Sequence, residues 1–193
     1  MKKFLLIFNV FLLIFGMVSN ASALLITPST PGYGGTGTSM NDIRTYIGSD
    51  ELYMSAFGDS DTGLLAVSYT TTFGNLDSDG EPQDATISYV GGNIVGPIAY
   101  LSVKDGEEGD PSWYVFNLTE LGWTGTEEIE IRGFWEGEGI QGAISNVALF
   151  GTSTPVPEPA TMLLLGTGLV GLAATGRKKL KKTFLIDSSE LIY

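Results

Sequence analysis

Leu65, Val67, Tyr69 and Phe73 alternate with Ala66, Ser68, Thr70 and Thr72, the two-residue period of a strand with one dry and one wet face. The spacing predicts a strand over Leu64–Phe73. The same reading gives shorter strands at Glu51–Phe57, Ala85–Val90, Ile98–Val103, Ser112–Leu118, Glu127–Arg132 and Ala143–Phe150. In Glu127–Arg132, Ile129 and Ile131 fall on one face and Glu128, Glu130 and Arg132 on the other, so the arginine is expected to form a solvated pair among glutamates. Turn chemistry separates the strands at Asn75–Pro82, Gly91-Gly92-Asn93, Asp105–Pro111 and Gly137–Gly142, where Gly, Asn, Asp and Pro supply the required backbone angles. Thr27–Ser39, rich in Gly, Pro, Ser and Thr, is expected to be an irregular leader. About seven short strands without interleaved helices predict an all-β fold, an antiparallel β-sandwich of jelly-roll type, with a small barrel as the alternative.

Two apolar runs lack this alternation. Phe4–Val18 follows the basic Met1-Lys2-Lys3 and precedes Ala21-Ser22-Ala23; these are the three parts of a secretory signal peptide, with cleavage expected after Ala23. Ala160–Thr175 carries no charge and predicts a helix of about 24 Å, short of a hydrocarbon core about 30 Å thick. Snorkelling by Arg177, Lys178 and Lys179, with local thinning, lets it span. Gly166, Gly168, Gly171 and Gly176 disfavour a water-exposed helix there. Pro159 suits a helix start, and Glu158 suits the positive end of its dipole. Lys2-Lys3 and Arg177–Lys182 belong on the cytoplasmic side, which places everything between them outside. The chain thus divides into a signal peptide (1–23), an ectodomain (24–154), a membrane segment (155–182) and a short tail (183–193), with Gly151–Pro155 as a tether.

The ectodomain has 154 − 24 + 1 = 131 residues, which suits one domain with a single core. Of 22 acidic residues Glu158, Asp187 and Glu190 lie beyond it, and of 10 basic residues only Arg44, Lys104 and Arg132 lie within it, giving 3 − 19 = −16. Three scattered bases cannot supply the counterion release that nucleic acid binding needs, so nucleic acid is excluded as a partner. The chain has neither cysteine nor histidine. Ser-His-Asp and Cys-His centres and His-rich zinc sites are therefore excluded, and no enzyme activity is expected. Carboxylate pairs such as Glu136 with Glu138 or Asp105 with Glu107 would be the minimum for a glycosidase, but 19 acids in 131 residues produce such pairs by composition alone.

Calcium is the candidate cofactor. Asn75-x-Asp77-x-Asp79-Gly80 matches the first half of an EF-hand loop, although Thr86 stands where the bidentate glutamate would be. Asp59 and Asp61 form a second short cluster. Asn, Asp and Gly also make ordinary turns, which is the competing reading. Trp113, Trp123, Trp135 and Tyr114 could stack on sugars; buried tryptophans would favour a structural domain, and an exposed Trp or Tyr row a carbohydrate-binding module. Trp113 is expected in the core. Thr70 and Thr72 alone give too little area for a flat ice-binding face.

Val156-Pro157-Glu158-Pro159, the short Gly/Leu helix and the basic cluster from Arg177 together resemble the PEP-CTERM sorting signal of Gram-negative bacteria, a segment also called the ice-binding protein C-terminal domain. The resemblance implies that Pro157, Glu158, Pro159 and Arg177 form the signal and that an exosortase, a membrane-bound processing enzyme, is the partner. It further implies export to the envelope or extracellular matrix of a bacterium that makes extracellular polysaccharide. The tail Thr183–Tyr193 departs from the pattern, which usually stops soon after the basic cluster. From Val103 to Gly151, Lys104-Asp105-Gly106, Trp113–Leu118, Gly122-Trp123, Gly133-Phe134-Trp135 and Gly142–Ser145 are similar to ectodomains that recur among PEP-CTERM proteins, with Asn146 where that pattern has a histidine; no activity comes with this likeness.

Overall fold

The computed structural model describes residues 23–37, 39–106, 110–135, 142–156 and 165–172. The chain divides into two units, Met1–Thr154 and Pro155–Tyr193. In the first, the described strands are β1 (Leu24–Ile26), β2 (Tyr33–Gly35), β3 (Asp50–Ala56), β4 (Tyr69–Leu76), β5 (Pro82–Tyr89), β6 (Asn93–Asp105), β7 (Trp113–Asn117), β8 (Ile129–Ile131) and β9 (Ile144–Pro155), with one helix, α1 (Met40–Ile47), between β2 and β3. The strands form a sheet ordered β1-β8-β5-β4 and a second ordered β2-β7-β6-β9-β3. The described pairings are antiparallel except β1 with β8. This is an all-β sandwich.

Period-two alternation builds the layer between the sheets. Ile87, Ile129 and Ile131 from one sheet and Leu101, Val103, Phe116, Val147 and Leu149 from the other are buried in one cluster with Tyr53, Tyr69, Trp123 and Phe134. The intervening residues of the second sheet are not wet. Trp113, Val115, Ala148 and Phe150 form a separate buried cluster with Ile43 of α1, against which Met40 and Ile47 also pack. A sheet covered on both faces needs uninterrupted apolar strands, which is why Trp113–Phe116 and Val147–Phe150 read as continuous runs.

The expected strand Leu64–Phe73 is displaced. Residues 64–68 form a turn and β4 begins at Tyr69. Leu65 donates its amide to Leu52, and the Ser68 and Tyr69 amides both return to the Leu65 carbonyl; Leu65 is buried and Val67 is 83% exposed. Helical-turn hydrogen bonds override the alternation. The leader Thr27–Ser39 likewise contains β2, which pairs with β7 through Tyr33↔Val115 and Gly35↔Trp113. A Cβ on Gly35 would fall inside the Trp113 indole, so close packing explains that glycine. The helix α1 is an addition to the expected all-strand layout. The expected signal helix lies outside the described residues.

Candidate functional site

Of the sorting segment, the structure describes Pro155, Val156 and residues 165–172; Pro157, Glu158, Pro159 and Arg177 lie outside the described residues. The stretch 165–172 is helical, inside the predicted 160–175 helix, with Leu165, Leu169, Val170 and Leu172 all exposed. Among the described residues no helix is long and apolar enough to cross a membrane.

The acidic turn of the expected calcium loop joins β4 to β5. Asn75 takes a left-handed backbone angle, φ 52°. One oxygen of Asp77 accepts from the amides of Asp79 and Glu81, both at 2.9 Å, and the other from the Gln83 side chain at 3.4 Å. The Glu81 amide foremost, against partial desolvation, holds this carboxyl below its ordinary range. Asp77 is thus a brace across its own turn, the local side-chain bonding that favours aspartate there. Among the described residues no three His, Cys, Asp or Glu side chains gather as a metal would require. Glu107, Glu136 and Glu138 of the carboxylate pairs lie outside the described residues.

A cleft of ≈ 150 Å³ lies beside this turn, lined by Phe57, Glu81, Pro82, Asp105, Gly106, Ala143, Ile144 and Ser145. Asp105 is buried, and one of its oxygens accepts from the Ala143 amide at 3.1 Å. The neighbouring Lys104 is also buried, its ammonium donating to the Asp105 carbonyl at 2.6 Å while Ser145 donates to the Lys104 carbonyl at 2.9 Å. Burial pushes Lys104 below the ordinary lysine value, with the Asp105 carboxylate pulling the other way. The bonds from Ala143 and Ser145 tie the end of β6 to the start of β9, between residues far apart in sequence.

Trp113 and Trp123 are buried, and Trp135 is half-buried. Each indole N–H donates to a backbone carbonyl: Trp113 to Thr36, Trp123 to Glu127 and Trp135 to Pro111. Trp113 lies in a buried cluster, as expected, and Trp123 in the main core. The exposed aromatic pair is Tyr33 of β2 and Tyr46 of α1, stacked with centroids 4.3 Å apart and an interplanar angle of 11°. Arg132 bonds Glu130 at 2.9 Å and Asp84 at 3.3 Å on the surface.

Residues 155–178 match the family model of the PEP-CTERM protein-sorting motif. The chain carries a PEP-CTERM sorting signal. No curated protein and no solved structure matches the chain. A PEP-CTERM signal implies export and processing by an exosortase at the membrane. The matched residues take in Pro157, Glu158, Pro159 and Arg177.

Proposed function

We propose that this is a non-enzymatic component of the cell envelope or extracellular matrix. Its apolar run at 160–175 holds it in the inner membrane until an exosortase-type enzyme cuts near Pro157-Glu158-Pro159, leaving a structural or adhesive ectodomain outside. The PEP-CTERM motif carries this reading. A helix whose described residues expose Leu165, Leu169, Val170 and Leu172 is costly in water and at home in lipid. The lack of His and Cys supports the non-enzymatic role. Glu158→Ala leaves the apolar run and the basic cluster untouched, so insertion persists and processing stops. The expected result is a longer, membrane-retained species in place of a shorter one lacking the basic tail. Mass spectrometry of the wild-type protein from its own host tests this directly. Peptides from Thr183–Tyr193 still attached to the mature ectodomain would mean an ordinary anchor.

A second reading, a carbohydrate-binding module for extracellular polysaccharide, rests on the Tyr33–Tyr46 stack, 48% and 51% exposed. Exposed aromatic faces stack on neutral sugars, while the −16 charge repels acidic ones. Loss of glycan retention on Tyr46→Ala with an unchanged melting curve is its expected signature; no retention of any neutral glycan by the wild type removes it.

A further inference from the structure

The two sheets present four edges: β1, β4, β2 and β3. Three are guarded in the ways that proteins prevent strand-to-strand association. β1 and β2 have three residues each. β3 carries Asp50 and Glu51 and a register break between Glu51 and Tyr53. The outer side of β3 is occupied by residues 62–65. Met54 and Thr62 exchange backbone hydrogen bonds of 3.0 and 2.8 Å, and the Leu65 amide reaches the Leu52 carbonyl at 2.8 Å.

β4 has no such guard. It runs for eight residues, Tyr69–Leu76, without a charge or a proline. It pairs with β5 in unbroken register from Tyr69↔Tyr89 to Gly74↔Asp84, and no described strand pairs with its other side. Thr70 and Thr72 are exposed. An edge of this kind offers a row of backbone donors and acceptors that an extended strand satisfies.

We propose that the open edge of β4 pairs antiparallel with β4 of a second copy of this chain. The run's own uncharged sequence selects that occupant, and charge limits where two copies can meet. Two ectodomains of −16 repel each other over most of their surface, and the uncharged run Tyr69–Gly74 is where they approach at least cost. A basic partner would be drawn to the acidic loops instead. The edge is also self-complementary. A two-fold axis at Thr71 sets Thr70 of each copy opposite Thr72 of the other, a cross-strand pair that stabilises sheets, and joins two four-stranded sheets into one. Such an isologous contact closes on itself and yields a dimer, not a fibre. Dimerisation gives a structural or adhesive ectodomain a bivalent form, and it needs no processing step, so it stands or falls separately from the sorting reading.

The chain has no cysteine, which makes disulfide trapping clean. The full-length protein in its own host is given Thr70→Cys with Thr72→Cys, and separately Glu120→Cys in the exposed turn that follows β7. Mild oxidation is expected to shift the first to a reducible species of twice the chain mass and to leave the second monomeric. A yield at β4 no greater than at Glu120, or a linked species whose mass is not two copies, overturns the proposal. Co-purification of two differently tagged copies from detergent extracts gives an independent readout. Wild-type copies are expected to co-purify, T70K/T72K copies to lose partners because lysine then faces lysine, and T70K/T72K with T70E/T72E to regain them. Retention of self-association by T70K/T72K, or failure of the opposite charges to restore it, overturns the proposal equally.

Discussion

Tyr69 shows how one side chain can hold distant segments together. Its hydroxyl donates to the Gly125 carbonyl at 2.8 Å and accepts from the Val95 amide at 3.0 Å, all within the core. Burial pushes the phenol up from its ordinary value, partly offset by the Val95 amide. Tyr69→Phe keeps the ring and strands two buried backbone groups, so it should cost about 1–3 kcal/mol; a chemical denaturation midpoint equal to wild type would show that water replaces the hydroxyl. Tyr53 bonds Thr71 at 2.6 Å and, mainly through burial, is pushed up to about 12. Asp77 works at the surface and through charge. Its folded carboxyl titrates below the unfolded one, so its stabilisation is full above the unfolded value and is lost as pH falls through the folded value. Asp77→Ala should therefore lower the melting temperature at neutral pH, with the gap to wild type closing in acid. A gap that stays constant across that range would mean that the carboxylate contributes no charge-dependent brace.

At the scale of elements, the helix α1 carries the second core cluster with few residues. Ser39 accepts from the Asn41 amide at 3.2 Å as N-cap, Asp42 lies in the first turn, and Gly48 closes the helix with φ 66° and its amide on the Arg44 carbonyl. Eight residues form no stable helix alone, so docking of Ile43 and both caps must act together. Ser39→Ala should cost about 0.5–2 kcal/mol, read as a lower melting temperature; no change would mean that docking alone fixes the helix. These caps were present in the sequence, but one helical turn on either side of Ile43 is too short for a 3.6-residue period to stand out. What was legible were strands with a wet face: Ile129 and Ile131 fell inward and Arg132 outward as the alternation required. What failed was Leu64–Ser68, where the Ser68 and Tyr69 amides turn back onto the Leu65 carbonyl and one bond from Leu65 to Leu52 anchors the turn. The clue to α1 was the unbroken apolar runs at Trp113–Phe116 and Val147–Phe150, which demand a cover on both faces. The sorting signal was legible because it is linear, whereas the cleft at Asp105 and the Tyr33–Tyr46 stack unite residues that only the fold brings together.

For the whole molecule the dominant quantity is charge. The described ion pairs are Arg44–Glu51 at 3.0 Å, Arg132–Asp84 at 3.3 Å and Arg132–Glu130 at 2.9 Å, with both arginines largely exposed. Exposed pairs contribute at most about 1 kcal/mol, too little to offset the mutual repulsion of a domain at −16. Raising ionic strength from about 0.01 M to 0.15 M shortens the screening length from about 30 Å to about 8 Å, so sodium chloride should raise the melting temperature over that interval and little beyond it. A melting temperature independent of salt would mean that the acidic groups are too far apart, or too often protonated, to matter to folding. Divalent cations sharpen the comparison. The Asp77 oxygens already serve the Asp79 and Glu81 amides and Gln83, so an ion would have to displace bonds that the turn itself uses. Calcium and magnesium chloride at equal ionic strength should then stabilise the protein to the same extent, because both act by screening. A rise specific to calcium and reversed by EDTA, absent in Asp79→Ala, would instead place an ion in the turn between β4 and β5, with Asn75, Asp77 and Asp79 as its ligands.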